Sequence, residues 1–125
     1  MNIIKPGNFS VSVPTDAKRM EFDFKNEQLL HLKKEIDYVF IGDSITQLWD
    51  IKSYLNSEKT IVNRGIGGDT SYYLNKRFEA DCVQLKPKKA VLMIGTNDIT
   101  KTDDDLWWKV KGQDNSVVFE EYKKI

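Results

Sequence analysis

Three short apolar runs, each followed by a polar loop that contains glycine or asparagine, constrain the fold of this chain more than any other feature. They span residues 38–41, 60–62 and 90–94, and the segments between them carry apolar residues at helical spacing. Strands that alternate with helices are typical of a parallel sheet with crossover helices. The sequence therefore predicts an α/β fold, with a flavodoxin-like three-layer αβα arrangement around a doubly wound parallel sheet.

The helices are predicted from the spacing of apolar residues. One helix is expected over residues 26–36, two more between the strands, and a last one over 118–125, while residues 1–20 and 100–115 are expected to be irregular. Asp69 or Thr70 is expected to cap the third helix and Pro87 to end it. The apolar positions are Leu29, Leu30, Leu32 and Ile36 in the first helix, Leu48, Ile51 and Leu55 in the second, Leu74, Phe78, Cys82 and Leu85 in the third, and Val118, Tyr122 and Ile125 in the last.

The third apolar run, residues 90–94, is apolar on both faces, which favours a strand covered by helices on each side. In the strand order 2-1-3 this strand lies at an edge unless more strands follow, and it has no charge or proline to protect that edge. We therefore expect residues 1–125 to form one domain whose sheet is incomplete at the C-terminus, with the sequence ending inside a fourth βα repeat. Self-association through the third strand is expected for the same reason.

Composition and charge argue against several classes of protein. The 19 basic and 19 acidic residues cancel, so no electrostatic surface for nucleic acid or an anionic membrane is expected. The single cysteine, Cys82, cannot form an internal disulfide and is expected to be a small buried hydrophobe. Neither a leader peptide nor an apolar run of membrane-spanning length is found, so we expect a cytoplasmic protein.

Polar residues follow each predicted strand, at the edge where open α/β sheets bind ligands. Ser44 lies at a strand-to-helix turn, glycines crowd residues 65–68, and Asn97 follows the third strand. Taken singly, each has a structural explanation: a helix cap at Asp43 and Ser44, a tight turn at the glycines, and turn formation at Asn97. Brought together, a hydroxyl, a backbone amide and a carboxamide can surround one carbonyl group.

In this order the three loops resemble the sequence blocks of the GDSL or SGNH hydrolase superfamily. Gly42-Asp43-Ser44 resembles the first block, residues 63–70 (NRGIGGDT) the second and residues 95–98 (GTND) the third. The second block is most similar to the branch of platelet-activating-factor acetylhydrolase-like enzymes and carbohydrate acetylesterases. The resemblance covers residues 38–100. It implies a serine ester hydrolase acting on small acyl esters, without a metal or an organic cofactor, in which Ser44 is the nucleophile and the amides of Ser44 and Gly68 and the side chain of Asn97 form the oxyanion hole.

The resemblance also implies a late Asp-x-x-His block, whose histidine is the general base for the serine. The one histidine of the sequence, His31, lies in the helix before the first strand. Because a five-residue strand spans about 16 Å, we expect His31 to be a partly buried helix residue at the opposite edge of the sheet, too far from Ser44 to act as its base. Asp43 and Asp98 are weak bases and are expected to hold the loops. We therefore expect little or no turnover from the 125-residue chain alone.

Two other functions stay open at this point. One is a non-catalytic module that binds carboxylates or esters in the same crevice without cleaving them, an interpretation that the missing base favours. The other is a half-domain that a second polypeptide completes by supplying further strands and the histidine, which the unprotected third strand motivates. Trp107 and Trp108 could line a substrate entrance or an interface, or simply pack against the core.

Overall fold

The computed structural model describes residues 2–7, 9, 13–55 and 58–101 of the chain. The expectations for residues 102–125, including the last helix and the roles of Trp107 and Trp108, lie outside the described residues. The elements in chain order are helix α1 Val13–His31, strand β1 Tyr38–Gly42, helices α2 Ser44–Leu48 and α3 Ile51–Tyr54, strand β2 Ile61–Gly65, helix α4 Ser71–Asp81, a 3₁₀ turn Val83–Leu85, strand β3 Lys89–Met93 and helix α5 Thr96–Lys101.

The three strands form one parallel sheet in the order β2-β1-β3, so the predicted α/β fold and strand order are confirmed. Side chains of β1 alternate between two cores, as the two-residue period of a strand requires. Val39 and Ile41 pack with Leu74 of α4 on one face, where α1 and α4 lie. Phe40 packs with Ile51 of α3 on the other face. Helices therefore cover both faces of β1, which gives the predicted three layers.

The edge strand β3 differs from the expectation that helices cover it on both faces. Within the described part of the chain, all five of its residues are exposed, and its hydrogen-bonded neighbour is β1. The sheet is thus incomplete on this side, as predicted. The buried faces of the sheet belong to β1 and β2.

Helix α1 starts 13 residues earlier and ends five residues earlier than predicted. Residues 13–20 are helical rather than irregular, so the expected irregular segment is correct only for the described residues before them. Lys33 has a positive φ of 51°, a left-handed conformation that ends helices. Ile36 therefore reaches the core from the connection to β1, and Leu32, which was expected on the buried face, is exposed.

The second predicted helix is two short helices that meet at Trp49, which has extended backbone angles. The Trp49 ring packs edge-on against Phe40 of β1, with 5.4 Å between the ring centroids. The break between the two helices thus coincides with this contact. Only Ile51 of the three predicted apolar positions becomes buried, whereas Leu48 and Leu55 stay exposed.

Helix α4 begins where the sequence predicts. The N-cap is Thr70, whose side chain accepts a hydrogen bond from the amide of Tyr73. The helix and the 3₁₀ turn after it end before Pro87, and Cys82 between them is buried in the core as expected. Burial raises the pKa of the Cys82 thiol, which keeps it neutral. After β3, residues 100 and 101 lie in α5 rather than in the predicted loop.

Candidate active site

The carboxyl ends of the three strands lie side by side. Gly42 at the end of β1 is paired in register with Gly65 at the end of β2 and with Met93 at the end of β3. The three polar loops therefore begin at the same edge of the sheet. Glycine is required at both aligned positions, because a Cβ at Gly42 would lie 2.2 Å from the Met93 carbonyl oxygen and one at Gly65 would lie 2.2 Å from the Gln47 backbone nitrogen.

The first loop places Ser44 at the start of α2. Asp43 is the N-cap of this helix, and its Oδ1 accepts a hydrogen bond from the amide of Ile45 at 3.0 Å. Asp43 is almost fully buried, whereas Ser44 is half-buried. The structural role predicted for Asp43, holding the loop, is confirmed, and the serine next to it keeps access to solvent.

The glycine-rich loop after β2 lies against the first loop. The amide of Ile66 donates to the carbonyl of Gly42 at 3.0 Å, and the amide of Gly67 donates to the side-chain carbonyl of Gln47 at 2.5 Å. A Cβ built on Gly67 would lie 3.6 Å from the Cβ of Ser44. The Asp69 amide closes a tight turn by donating to the carbonyl of Ile66 at 3.2 Å. The tight turn that the glycines predict is thus present, and it borders Ser44.

The third loop is attached to the second by both of its polar side chains. The Asn97 Nδ2 donates to the carbonyl of Asp69 at 3.0 Å. The buried Asp98 carboxylate accepts from the Ser71 amide at 2.9 and 3.0 Å and from the Ser71 hydroxyl at 2.5 Å. Asp98 therefore holds the loops together, as predicted. Asn97 and Asp98 belong to the first turn of α5 rather than to a loop.

The three predicted site residues are thus brought to one edge of the sheet. Gly68 lies in the chain between Gly67, which neighbours Ser44, and Asp69, whose carbonyl accepts the hydrogen bond from Asn97. Gly68 has a positive φ of 82°, and a Cβ there would meet no atom within 4 Å. One face of this residue therefore opens onto space rather than packed protein. Such an arrangement can direct an amide, a carboxamide and a hydroxyl toward one small polar group.

His31 lies away from this edge. It is the last residue of α1, before β1, whereas Ser44 follows the opposite end of β1. The His31 side chain is exposed, not partly buried as expected, and its Nε2 lies 3.7 Å from a carboxylate oxygen of Glu27. The prediction that His31 lies at the opposite end of the strand from Ser44 is confirmed, since the whole length of β1 separates them.

A buried polar cluster behind the loops was missed from the sequence. Its members share almost complete burial and hydrogen bonds or ion pairs to one another; they are Arg19, Asp23, Asn26, Arg64, Asp69, Arg77 and Asp81. The signal that could have revealed it is helical spacing of polar residues. Arg19, Asp23 and Asn26 lie at i, i+4 and i+7 of α1, so one face of that helix is buried yet polar.

The electrostatics of this cluster reflect its burial. Removal from water lowers the pKa of Arg64 to about 10. The Asn26 side-chain carbonyl accepts from Nε and from one terminal nitrogen of Arg64, at 3.0 and 2.8 Å. Burial also raises the pKa of Asp23, although the neighbouring Arg19 opposes that shift. Arg19 and Arg77 thus form ion pairs inside the cluster, whereas the buried Arg64 is held by hydrogen bonds to the neutral Asn26 side chain.

Other kinds of site find little support in the described residues. A cleft of about 500 Å³ lies between α1, α3 and the edge strand β2, and none of the three predicted site residues lines it. No group of three or more histidine, cysteine or acidic side chains that could hold a metal ion occurs among the residues that the structure describes. Across the same residues, none of the helices has both the length and the apolar character needed to span a bilayer.

Comparisons with known proteins point to one family. The GDSL-like Lipase/Acylhydrolase family matches residues 40–114. Platelet-activating factor acetylhydrolase IB subunit alpha1 of Rattus norvegicus is 31% identical over 115 residues, which cover 84% of this chain and 50% of that protein. Subunit alpha2 of the Homo sapiens protein is 36% identical over 77 residues, which cover 58% of this chain and 34% of that protein.

A solved structure extends the same comparison to the fold. A GDSL-like lipase from Bacteroides thetaiotaomicron superposes with a TM-score of 0.64 at 27% sequence identity, covering 83% of this chain and 48% of that one. The chain thus spans about a third to a half of the length of the relatives that it matches.

Proposed function

This chain belongs to the GDSL-like lipase/acylhydrolase family, and we propose that it carries the nucleophile and the oxyanion hole of a serine ester hydrolase. Ser44 is the proposed nucleophile. The amides of Ser44 and Gly68 and the side chain of Asn97 are the proposed oxyanion-hole donors. The observation that carries this proposal is the hydrogen bonding between the loops, from Ile66 to Gly42 and from Asn97 to Asp69.

In the proposed reaction the Ser44 Oγ attacks the carbonyl carbon of an ester. Its proton passes to a general base, and the carbonyl oxygen takes up the negative charge. Collapse of this intermediate breaks the bond to the alcohol, which leaves with the proton from the base, and an acyl-enzyme remains. Water then attacks the acyl group in place of Ser44, again with the help of the base, which frees Ser44 and releases the carboxylic acid.

The oxyanion hole supplies the electrostatic part of the mechanism. Each donor that is already oriented toward the developing oxyanion lowers the barrier by about 3–4 kcal/mol. A carboxamide has two N–H groups, and one of those of Asn97 donates to Asp69. That bond fixes the orientation of the Asn97 carboxamide next to the proposed site.

Among the residues that the structure describes, we propose none near Ser44 as the general base. Asp98 and the Oδ1 of Asp43 accept hydrogen bonds from backbone amides, the Oδ2 of Asp43 is buried, and His31 precedes β1 whereas Ser44 follows it. We therefore propose that the 125-residue chain turns over several orders of magnitude more slowly than an intact serine hydrolase, with the oxyanion hole giving residual catalysis. The substrates proposed are esters of short acyl groups, because the relatives named above are acetylhydrolase subunits.

Hydrolysis of p-nitrophenyl acetate tests this proposal, with imidazole added as an external base. We expect the unsubstituted chain to be slow in plain buffer and to gain activity as imidazole rises, because imidazole can take the Ser44 proton. Ser44→Ala is the matched control, since it keeps the fold and reports the reaction of imidazole with the ester alone. If the unsubstituted chain and Ser44→Ala hydrolyse the ester at the same rate at every imidazole concentration, Ser44 is not the nucleophile. If the unsubstituted chain hydrolyses the ester at ordinary enzyme rates without imidazole, the proposal that it lacks a general base is wrong.

A further inference from the structure

We propose that Arg77 is a positioning residue that sets the geometry of the oxyanion hole, an inference that rests on the proposed function. Arg77 lies on α4 and its side chain is fully buried, so it touches no substrate. Its guanidinium nevertheless contacts the chain on both sides of the proposed site. The role proposed is to fix the spacing between the first and second loops.

The contacts of the Arg77 guanidinium converge on the two strand ends. One terminal nitrogen donates to the carbonyl of Gly42 at 2.9 Å, and the other donates to the carbonyl of Arg64 at 2.8 Å. Gly42 ends β1, two residues before Ser44. Arg64 is the next-to-last residue of β2, just before the glycine-rich loop. One planar group thus bridges the backbones of both strands where they enter the site.

A third contact extends this bridge to the other two donors. The Arg77 Nε donates to the carboxylate of Asp69 at 2.7 Å, and Asp69 directly follows Gly68. The carbonyl of the same Asp69 accepts the hydrogen bond from Asn97. A shift of the guanidinium would therefore move Gly68 through its neighbour in the chain and Asn97 through its hydrogen bond.

The chemistry of arginine explains why this position needs that residue. A guanidinium presents five N–H donors in a rigid plane, whereas a lysine ammonium is a compact point charge. The guanidinium reaches Gly42, Arg64 and Asp69 from three separate nitrogens, whereas the three N–H donors of an ammonium share a single nitrogen and cannot span the same acceptors. The buried charge is offset by the carboxylates of Asp69 and Asp81, which lie 2.7 and 3.1 Å from Arg77 nitrogens.

Arg19 is a matched control within the same buried polar cluster. It is as deeply buried as Arg77 and also pairs with Asp81, at 2.5 Å, and with Asp23, at 3.0 Å. Its carboxylate partners lie on α4 and α1, its guanidinium also lies over the ring of Phe9, and none of these residues belongs to the three loops. Arg19→Lys should therefore cost stability in the same way as Arg77→Lys without displacing the site.

The experiment compares the two lysine variants by the imidazole-supported, Ser44-dependent hydrolysis of p-nitrophenyl acetate, corrected for the folded fraction. We expect Arg77→Lys to lower kcat by about 10- to 100-fold with less than a threefold change in KM, because displaced oxyanion donors act on the transition state. Arg19→Lys should stay within about threefold of the unsubstituted chain. In ¹H–¹⁵N spectra, the amide signals of Ser44 and Gly68 should shift in Arg77→Lys and not in Arg19→Lys.

Asp69→Asn decides the question if Arg77→Lys does not fold. It keeps the size of the side chain and weakens the bond to the Arg77 Nε, so we expect a smaller loss of kcat and a shifted Gly68 amide. Equal effects of the Arg77 and Arg19 variants, or unmoved Ser44 and Gly68 signals, would overturn the positioning role alone. If the unsubstituted chain shows no Ser44-dependent hydrolysis, the proposed function falls, and the positioning role falls with it.

Discussion

Gly68 occupies a backbone conformation that other residues rarely adopt. Its φ of 82° places it at the third position of the tight turn closed by the Asp69 amide, where a type II turn calls for glycine. A Cβ at this position would meet no atom within 4 Å, so the cost of a side chain is conformational and not steric. We expect Gly68→Ala to lower the free energy of unfolding by about 1–2 kcal/mol, measured by urea denaturation.

Gly68→Asn provides the control for this prediction. Asparagine enters the left-handed region more readily than alanine because its short side chain can bond to the local backbone. Asn should therefore destabilise less than Ala although it is larger. A larger loss with Asn than with Ala would show that space, and not the backbone angle, requires glycine here.

At the scale of elements, Asp37 joins the starts of two strands. Its Oδ2 accepts a hydrogen bond from the amide of Thr60 at 2.8 Å, just before β1 and β2 begin. That bond lowers the pKa of Asp37 from its usual 3.8, and the ammonium of Lys88, 3.2 Å away, lowers it further. A carboxyl group whose pKa is lower in the folded state stabilises the fold above its unfolded pKa.

This stabilisation by Asp37 should disappear in acid, as pH falls through the folded-state pKa of the group. We expect Asp37→Asn to be less stable than the unsubstituted chain at neutral pH and to approach it below about pH 4. Urea denaturation from pH 7 to pH 3 measures the difference. Glu79→Gln, at an exposed position of α4, is the control. Its stability relative to the unsubstituted chain should be nearly independent of pH. A constant deficit for Asp37→Asn down to pH 3 would mean that the carboxylate charge contributes nothing.

The strands and the site loops could be predicted because their signals are local. Each apolar run ends in residues that tolerate special backbone angles, and parallel strands bring their carboxyl ends to one edge by geometry alone. The three polar loops could therefore be grouped before any contact was known, and the resemblance to the GDSL family singled out Ser44, Gly68 and Asn97 within them. Two contacts could not be predicted, namely those of Asn97 with Asp69 and of Asp98 with Ser71. They depend on how α5 packs onto the start of α4.

Helix α1 shows why the buried polar cluster could not be predicted from the sequence. One face of this helix buries Arg19, Asp23 and Asn26, which a search for apolar periodicity counts as exposed positions. Apart from the pair that Arg19 and Asp23 form with each other, their partners Asp81 and Arg64 lie 38 or more residues away in sequence, so the burial of these side chains depends on tertiary contacts. The same polar cluster contains Arg77, the residue proposed to position the site. The most informative residues were thus hidden by their polarity.

At the scale of the whole molecule, β3 is the exposed edge of the sheet. Val91, Leu92 and Met93 are 41%, 39% and 42% exposed, and within the described part of the chain the strand pairs with β1 on one side. Beyond Lys89 at its start the strand is apolar and has no proline, and such an edge presents backbone donors and acceptors to a second chain. We propose that the 125-residue chain self-associates through this edge.

Sedimentation velocity over a concentration series measures this association. The average mass should rise with concentration for the unsubstituted chain, and Leu92→Lys should shift the rise to higher concentration, because a charge on an edge strand opposes pairing between chains. Val83→Lys makes the same change at an exposed apolar position of the 3₁₀ turn, outside the sheet, and should leave the association unaltered. A chain that stays monomeric throughout, or one that responds equally to both substitutions, would show that β3 is not the surface through which copies meet.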